Sequence, residues 1–326
     1  MASRDRARAG IARRQAPSAA GADGVWVTLE DLIRMRPRAR GFSFLPKQPI
    51  ESLLAGRHAS RMRGRGLNFE EIRKYLPGDD IRTIDWKITA RTRETHVRVY
   101  TEERDRPAIM VVDQRINMFF GTVRALKSVV AAEMAALGAW RVFDEGDRVG
   151  AIVFNDEETV EVRPQRSRRT VLNILHQVLS QNQALRANSS VQPNRQALNQ
   201  ALSSVARLAG HDYIVAVLSD FDGADDETTR LITRLAIHND VVVFLIHDPT
   251  SRMIPSGVDL VVSDGRLQAE VRGTQGKIRE QVQAFSEERA ARIMDWQTSL
   301  GVPVLPISTA EDPVDQLIRL TGGGRR

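Results

Sequence analysis

The sequence predicts an α/β fold: a doubly wound, mainly parallel sheet with a smaller N-terminal block packed on it. Apolar runs such as Ala108-Ile-Met-Val-Val-Asp113, Tyr213-Ile-Val-Ala-Val-Leu-Ser-Asp220 and Asp240-Val-Val-Val-Phe-Leu-Ile-His247 have strand length and no polar alternation, as expected for strands covered on both faces. Segments of helical length separate them, which favours parallel pairing. Two of the runs end in an acid, Asp113 and Asp220, at the sheet edge where such folds hold their ligands.

In chain order, Met1 to Gly24 is rich in Arg, Ala and Gly with little to bury, and reads as a disordered basic tail. Residues 25–107 form a second unit. Thr28 caps a short helix that stops before Pro37, with Asp31 placed for a capping box. Later in this unit, His96-Val-Arg-Val-Tyr-Thr-Glu has Val97 and Val99 at strand period. Residues 108–326 form the α/β domain. Its strands are Ala108–Asp113, Arg148–Phe154, Val160–Arg163, Tyr213–Asp220 and Asp240–His247, with Val302-Pro-Val-Leu-Pro-Ile307 as a proline-bearing edge strand. Its helices run over Thr122–Asp144, Arg168–Ser180, Asn194–Ala209, Glu227–His238, Ile278–Ser299 and Pro313–Leu320.

A chain of 326 residues needs no staple to fold, and Cys 0 removes disulfides, thiolate zinc sites and a cysteine nucleophile. No apolar run approaches the length of a membrane span; the best, Val129 to Trp140, is interrupted by Glu133. A cytoplasmic location is expected. The net charge of +6 is uneven: residues 1–107 hold 23 basic against 14 acidic side chains, residues 108–326 hold 24 against 27. A basic third suggests nucleic acid, but its arginines are interleaved with acids after Asp79, aromatics are sparse and no base-reading motif occurs.

The common α/β chemistries fail on inspection. There is no Gly-x-Gly-x-x-Gly after a strand, no phosphate-binding loop, no Gly-x-Ser-x-Gly elbow and no His-Glu-x-x-His. Asp220-Phe-Asp-Gly-Ala-Asp-Asp226 is acidic but has its glycine in the wrong place for a calcium loop. An enzyme is not expected.

The stretch from Gly64 to Arg91 is dense in opposite charges around one turn. Pro77-Gly78 signals a type II turn, Asp79 and Asp80 suit the cap that follows, and Trp86 beside Asp85 offers an apolar anchor. Gly78, Asp79, Asp80, Arg82, Asp85, Trp86 and Arg91 are therefore expected to form a rigid, ion-paired block docked beside the sheet, either structural or partner-binding.

These residues resemble the domain of unknown function 58 family. The resemblance rests on Ala55-Gly56, Gly64-x-Gly66, Phe69-Glu70, Arg73-x-Tyr75, Pro77-Gly-Asp-Asp80, Arg82-x-Ile84-Asp-Trp86, Ala90-Arg91 and Glu102-Glu-Arg104. It continues through Asp113, Met118-Phe-Phe-Gly121, Ser219-Asp220-Phe221 and Asp248-Pro249 to Pro255. It covers about residues 50–260. It implies a von Willebrand A-like domain, paired with a MoxR-type AAA+ ATPase as an adaptor to a client protein. Relatives with N-terminal membrane helices differ here, since no such segment occurs.

A von Willebrand A metal site has Asp-x-Ser-x-Ser at the first strand end, which supplies hard oxygens to Mg²⁺. This sequence has Asp113-Gln-Arg115-Ile-Asn117, and only Asp220 matches the second carboxylate. The Thr of a later loop is not identifiable, Asn188-Ser-Ser190 being the nearest polar cluster. Mg²⁺ about 6 Å from a guanidinium is opposed by about 5–6 kcal/mol at an effective dielectric of ~20. Asp113, Asn117 and Asp220 are thus expected to be a degenerate, unoccupied metal site, with Arg115 as the replacing cation and no cofactor. The expected function is a non-enzymatic adaptor. The alternatives are nucleic-acid binding through the basic third, and a metal-dependent hydrolase using Asp113, Asp220 and Asp222.

Overall fold

The computed structural model describes residues 24–41, 67–102, 106–186, 191–249, 260–263, 268–271 and 276–321. The expectations for the basic tail, Ala55-Gly56, Gly64-x-Gly66, Asn188-Ser-Ser190 and Pro255 lie outside them. Six strands form the central sheet: β3 (Ala108–Asp113), β4 (Val149–Phe154), β5 (Thr159–Gln165), β6 (Ile214–Ser219), β7 (Asp240–His247) and β10 (Val304–Ser308), in the order β10-β7-β6-β3-β4-β5. All neighbours are parallel except β5, which returns antiparallel on β4. The doubly wound α/β class is the observed one.

Every residue of β3 and β4 is buried, because helices cover both faces and leave no side for polar alternation. The side chains of β3 divide by parity. Met110 and Val112 join one core, under α3 (Lys127–Asp144), α4 (Arg168–Ala184) and α8 (Pro313–Thr321); Ile109 and Val111 join the other, under α5 (Ala197–Leu208), α6 (Asp226–Ala236) and α7 (Gly276–Ser299). Strand β10 sits at the edge, where its Pro306 is tolerated. Among the described residues no helix is long and apolar enough to cross a membrane.

The structure departs from the sequence expectations in several places. Helix α3 begins at Lys127, five residues after Thr122, because the Thr122 N–H and hydroxyl both donate to the buried Asp248 carboxylate (2.9 and 2.7 Å). A strand over Leu67–Lys74 (β1), too charged to read as one, pairs antiparallel with β2 (His96–Glu102). A further pair, β8 (Leu260–Ser263) and β9 (Gln268–Val271), was not anticipated either.

The segment 24–41 straps the outer face of α3 and α4. Thr28 caps α1 (Leu29–Arg34) through the expected capping box with Asp31. Leu32 is fully buried, and its carbonyl accepts from Trp140 Nε1 (3.1 Å). Val27 N–H donates to Asn182 Oδ1 (3.0 Å), and Arg36 and Arg38 pair with Asp144 and Asp312 (2.8 Å each). Gly24 is required where the strap meets the loop before α3: its φ is +87°, and a Cβ there would lie 2.1 Å from the Arg124 carbonyl oxygen.

Candidate functional site

Asp113 and Asp220 come together at the carboxyl edge of adjacent strands β3 and β6. Both are buried, at 0% and 3% exposure. Two carboxylates cannot be buried so close without compensation, and the chain supplies it. Arg115, two residues beyond Asp113, folds back onto it: Nε lies 3.0 Å from Oδ1 and Nη2 lies 2.7 Å from Oδ2. The same guanidinium donates through Nη1 to the Asp222 carbonyl (3.0 Å), and Nη2 stands 4.0 Å from Asp220 Oδ1. Burial opposes the charge on Arg115, but the Asp113 carboxylate outweighs it and holds the guanidinium more firmly protonated than usual.

Asp220 is neutralised from elsewhere. Lys127, in the first turn of α3, pairs with Oδ2, and Asn117 Nδ2 donates to Oδ1 (2.8 Å). The Asp222 N–H also reaches Oδ1 (3.0 Å). Burial alone would raise the Asp220 pKa; Lys127, Arg289 and Arg115 outweigh it and hold the carboxyl well below the ordinary range. Asp222 in turn pairs with Arg289 of α7. Ser219 Oγ donates to Asp113 Oδ2 (2.6 Å) and accepts from the Phe221 N–H (2.9 Å). Phe221 is left-handed, with φ +54°, a conformation costly for a bulky residue. Its buried ring meets Trp296 edge-on at 5.5 Å.

A third acid at this edge, Asp156 after β4, accepts from the Ile116 N–H (2.6 Å) and the Asn194 N–H (2.8 Å). It fixes the two loops that flank the site. Burial raises its pKa against these backbone donors.

A divalent metal does not fit these residues. All four oxygens of Asp113 and Asp220 already accept from Arg115, Lys127, Asn117, Ser219 or backbone N–H groups. The positions that would offer hydroxyl ligands are filled by a guanidinium and an amide. Among the described residues no group of three or more His, Asp or Glu side chains is placed to hold a metal ion.

The Pro77-Gly78 block lies in the connection between β1 and β2, which pair as a two-stranded sheet of their own. Gly78 has φ +107°, and the Asp79 N–H closes the turn onto the Leu76 carbonyl (3.0 Å). The expected pairs among Asp79, Asp80, Asp85, Arg82 and Arg91 are not the ones formed. Arg73 of β1 forks onto Asp79 (2.7 and 2.8 Å), and Arg98 of β2 binds Asp85 (2.8 Å), because the two strands present these arginines to the connection between them. Asp80 caps the turn through the Arg82 N–H (2.9 Å). Asp85 caps α2 (Trp86–Thr92), accepting from the N–H groups of Lys87 and Ile88 (3.0 and 3.1 Å). These bonds hold Asp79 and Asp85 below the usual carboxylate range, for Asp85 chiefly through Ile88 and Arg98. Arg82 and Arg91 are exposed. Trp86 is 70% exposed, with Ile81 at 66% and Leu76 at 59%, so the indole is a surface group rather than an anchor in the core.

Sequence reasoning missed Lys127, Arg289 and Asp156. Asp156 follows a buried strand by two residues, the same signal that singled out Asp113 and Asp220. The two cations carried no local signal.

Solved structures similar to the chain include a von Willebrand factor type A protein from Catenulispora acidiphila and the SpRpn10 VWA domain. The first shares 12% identity at TM-score 0.35, covering 69% of this chain and 43% of that one. The second shares 13% at TM-score 0.34, covering 68% and 97%. The uncharacterized proteins Mb1516 of Mycobacterium bovis and Rv1480 of Mycobacterium tuberculosis are each 27% identical over 289 residues, 86% of either chain. The family model for the protein of unknown function DUF58 matches residues 71–293, and the chain belongs to that family.

Proposed function

We propose that this protein is a non-enzymatic adaptor that couples a MoxR-type AAA+ ATPase to a client protein through a degenerate von Willebrand A-like domain. The observation that carries the reading is the saturation of the carboxyl edge: Asp113 is paired with Arg115 and Asp220 with Lys127. Neither serves there as a base, a nucleophile or a metal ligand. This speaks against a hydrolase built on Asp113, Asp220 and Asp222. What the molecule offers a partner is apolar surface. Phe120 and Val123 are exposed in the loop after β3, and Leu76, Ile81 and Trp86 around the Gly78 turn. Exposed aromatics beside arginines are typical of protein interfaces. The ATPase partner is what the resemblance of the motif residues implies, and a cytoplasmic location is part of the same reading.

The test is binding of the purified full chain to the MoxR-type ATPase of the same organism, with ATP, ADP and no nucleotide. A complex whose affinity depends on the nucleotide is expected; no complex in any nucleotide state overturns the adaptor. One observation favours nucleic acid as a second reading: Arg82, Lys87 and Arg91 are exposed near Trp86. Binding to DNA or RNA with a steep salt dependence would support it.

A further inference from the structure

We infer that Arg115, Lys127 and Arg289 together stand in for a divalent cation, making the carboxyl edge a permanently closed ion cluster that works without metal. Asp113, Asp220 and Asp222 each meet a cation of their own, while Asp156 beside them is held by backbone N–H groups. Each cation comes from a different element and ties it to the site. Arg115 joins the end of β3 to the loop after β6, by its fork on Asp113 and its bond to the Asp222 carbonyl. Lys127 brings the first turn of α3 onto Asp220. Arg289 brings α7 onto Asp222. A metal ion at a sheet edge links loops by accepting their oxygens; here side chains link the same kind of loops by donating to them.

Burial makes the substitution hard to reverse. The side chains of Arg115 and Asp113 are 3% and 0% exposed, and the guanidinium stacks over Phe154 at 5.6 Å. Arginine suits this position because its planar fork matches a carboxylate and its charge is not lost at any working pH. A divalent ion would have to displace a buried, doubly bonded cation and then face it at close range. The loop conformation at this edge is therefore set by the fold, not by metal supply, and partners contact one fixed surface. The cluster is a property of the isolated chain, so it stands or falls separately from the ATPase.

The experiment uses the full chain and three readouts. Calorimetric titration of the wild type with Mg²⁺ to millimolar concentration should give no binding heat. Its melting temperature should be the same in EDTA and in excess Mg²⁺. R115A should melt on the order of 10 °C lower, since Asp113 is left buried and unpaired. R115S combined with N117S restores the hydroxyl pattern and should gain a Mg²⁺-dependent rise in melting temperature that the wild type lacks. If that double variant does not fold, R289A, which removes the cation paired with Asp222, should melt lower than wild type and remain insensitive to Mg²⁺. Mg²⁺ binding by the wild type, a metal-dependent shift in its melting, or R115A as stable as wild type overturns the inference.

Discussion

The carboxyl edge and the β1–β2 hairpin use the same side chains to different effect. Each contains an Asp gripped by an Arg through two nitrogens: Asp113 by Arg115, Asp79 by Arg73. At the edge the pair is sealed, with side-chain exposures of 3% and 0%; in the hairpin they are 38% and 20%. Water screens the second pair and solvates either partner left alone, so its net worth is small. It cannot solvate a partner stranded at the edge, so the first pair is costly to break. The hairpin also displays an indole, Trp86, with Ile81 and Leu76 beside the same turn. One region spends its charges on holding the fold, and the other leaves cations and an indole available to something else.

Substitutions break this contrast in a definite order. Asp113→Asn should cost most, about 3–5 kcal/mol, because Arg115 is left buried without its counter-charge; urea unfolding measures it. Lys127→Met should cost less, about 2–3 kcal/mol, since Asn117 and the Asp222 N–H still bond to Asp220. The same variant has a pH signature. The Asp220 pKa is depressed in the folded protein, so its stabilisation is fully present above the unfolded value near ~4 and is lost as pH falls toward the folded value. Lys127→Met should therefore raise the midpoint of acid unfolding followed by circular dichroism.

In the hairpin, Asp79→Ala should leave the global melting transition where it is and speed hydrogen exchange only around the Gly78 turn. Trp86→Ala should be the smallest in stability, with an unchanged melt. Under the adaptor reading it should nonetheless weaken ATPase binding by roughly tenfold or more, as loss of an interface tryptophan does. A large melting change in either hairpin variant would erase the distinction between the two regions.

The central sheet was legible because its strands are buried on both faces and read as unbroken apolar runs, as Ile109 to Val112 do. Strand β1 was not: Glu70, Glu71, Arg73 and Lys74 hide it, and its partner begins at His96. Helix α2 had a signal in Asp85, whose carboxylate caps it, but the charges around it pointed to ion pairs instead. Within the site, Arg115 was visible because two positions along an extended chain share a face. Lys127 and Arg289 were invisible for the opposite reason. They reach the site only after α3 and α7 have packed, from positions whose spacing to Asp113 and Asp220 has no local meaning.

The strap over α3 and α4 has a consequence for how the chain is made. Its partners lie far downstream: Leu32 waits for Trp140, Val27 for Asn182, and Arg38 for Asp312. During synthesis at about 5–20 residues per second, the strap leaves the ribosome before α3 and α4 and has no docking surface until they exist. Contacts of such sequence separation form late, because a long loop must close before they give any return. Leu32 and its neighbours thus spend several seconds exposed on every nascent chain, and a segment made well before its docking surface is among the last to be placed.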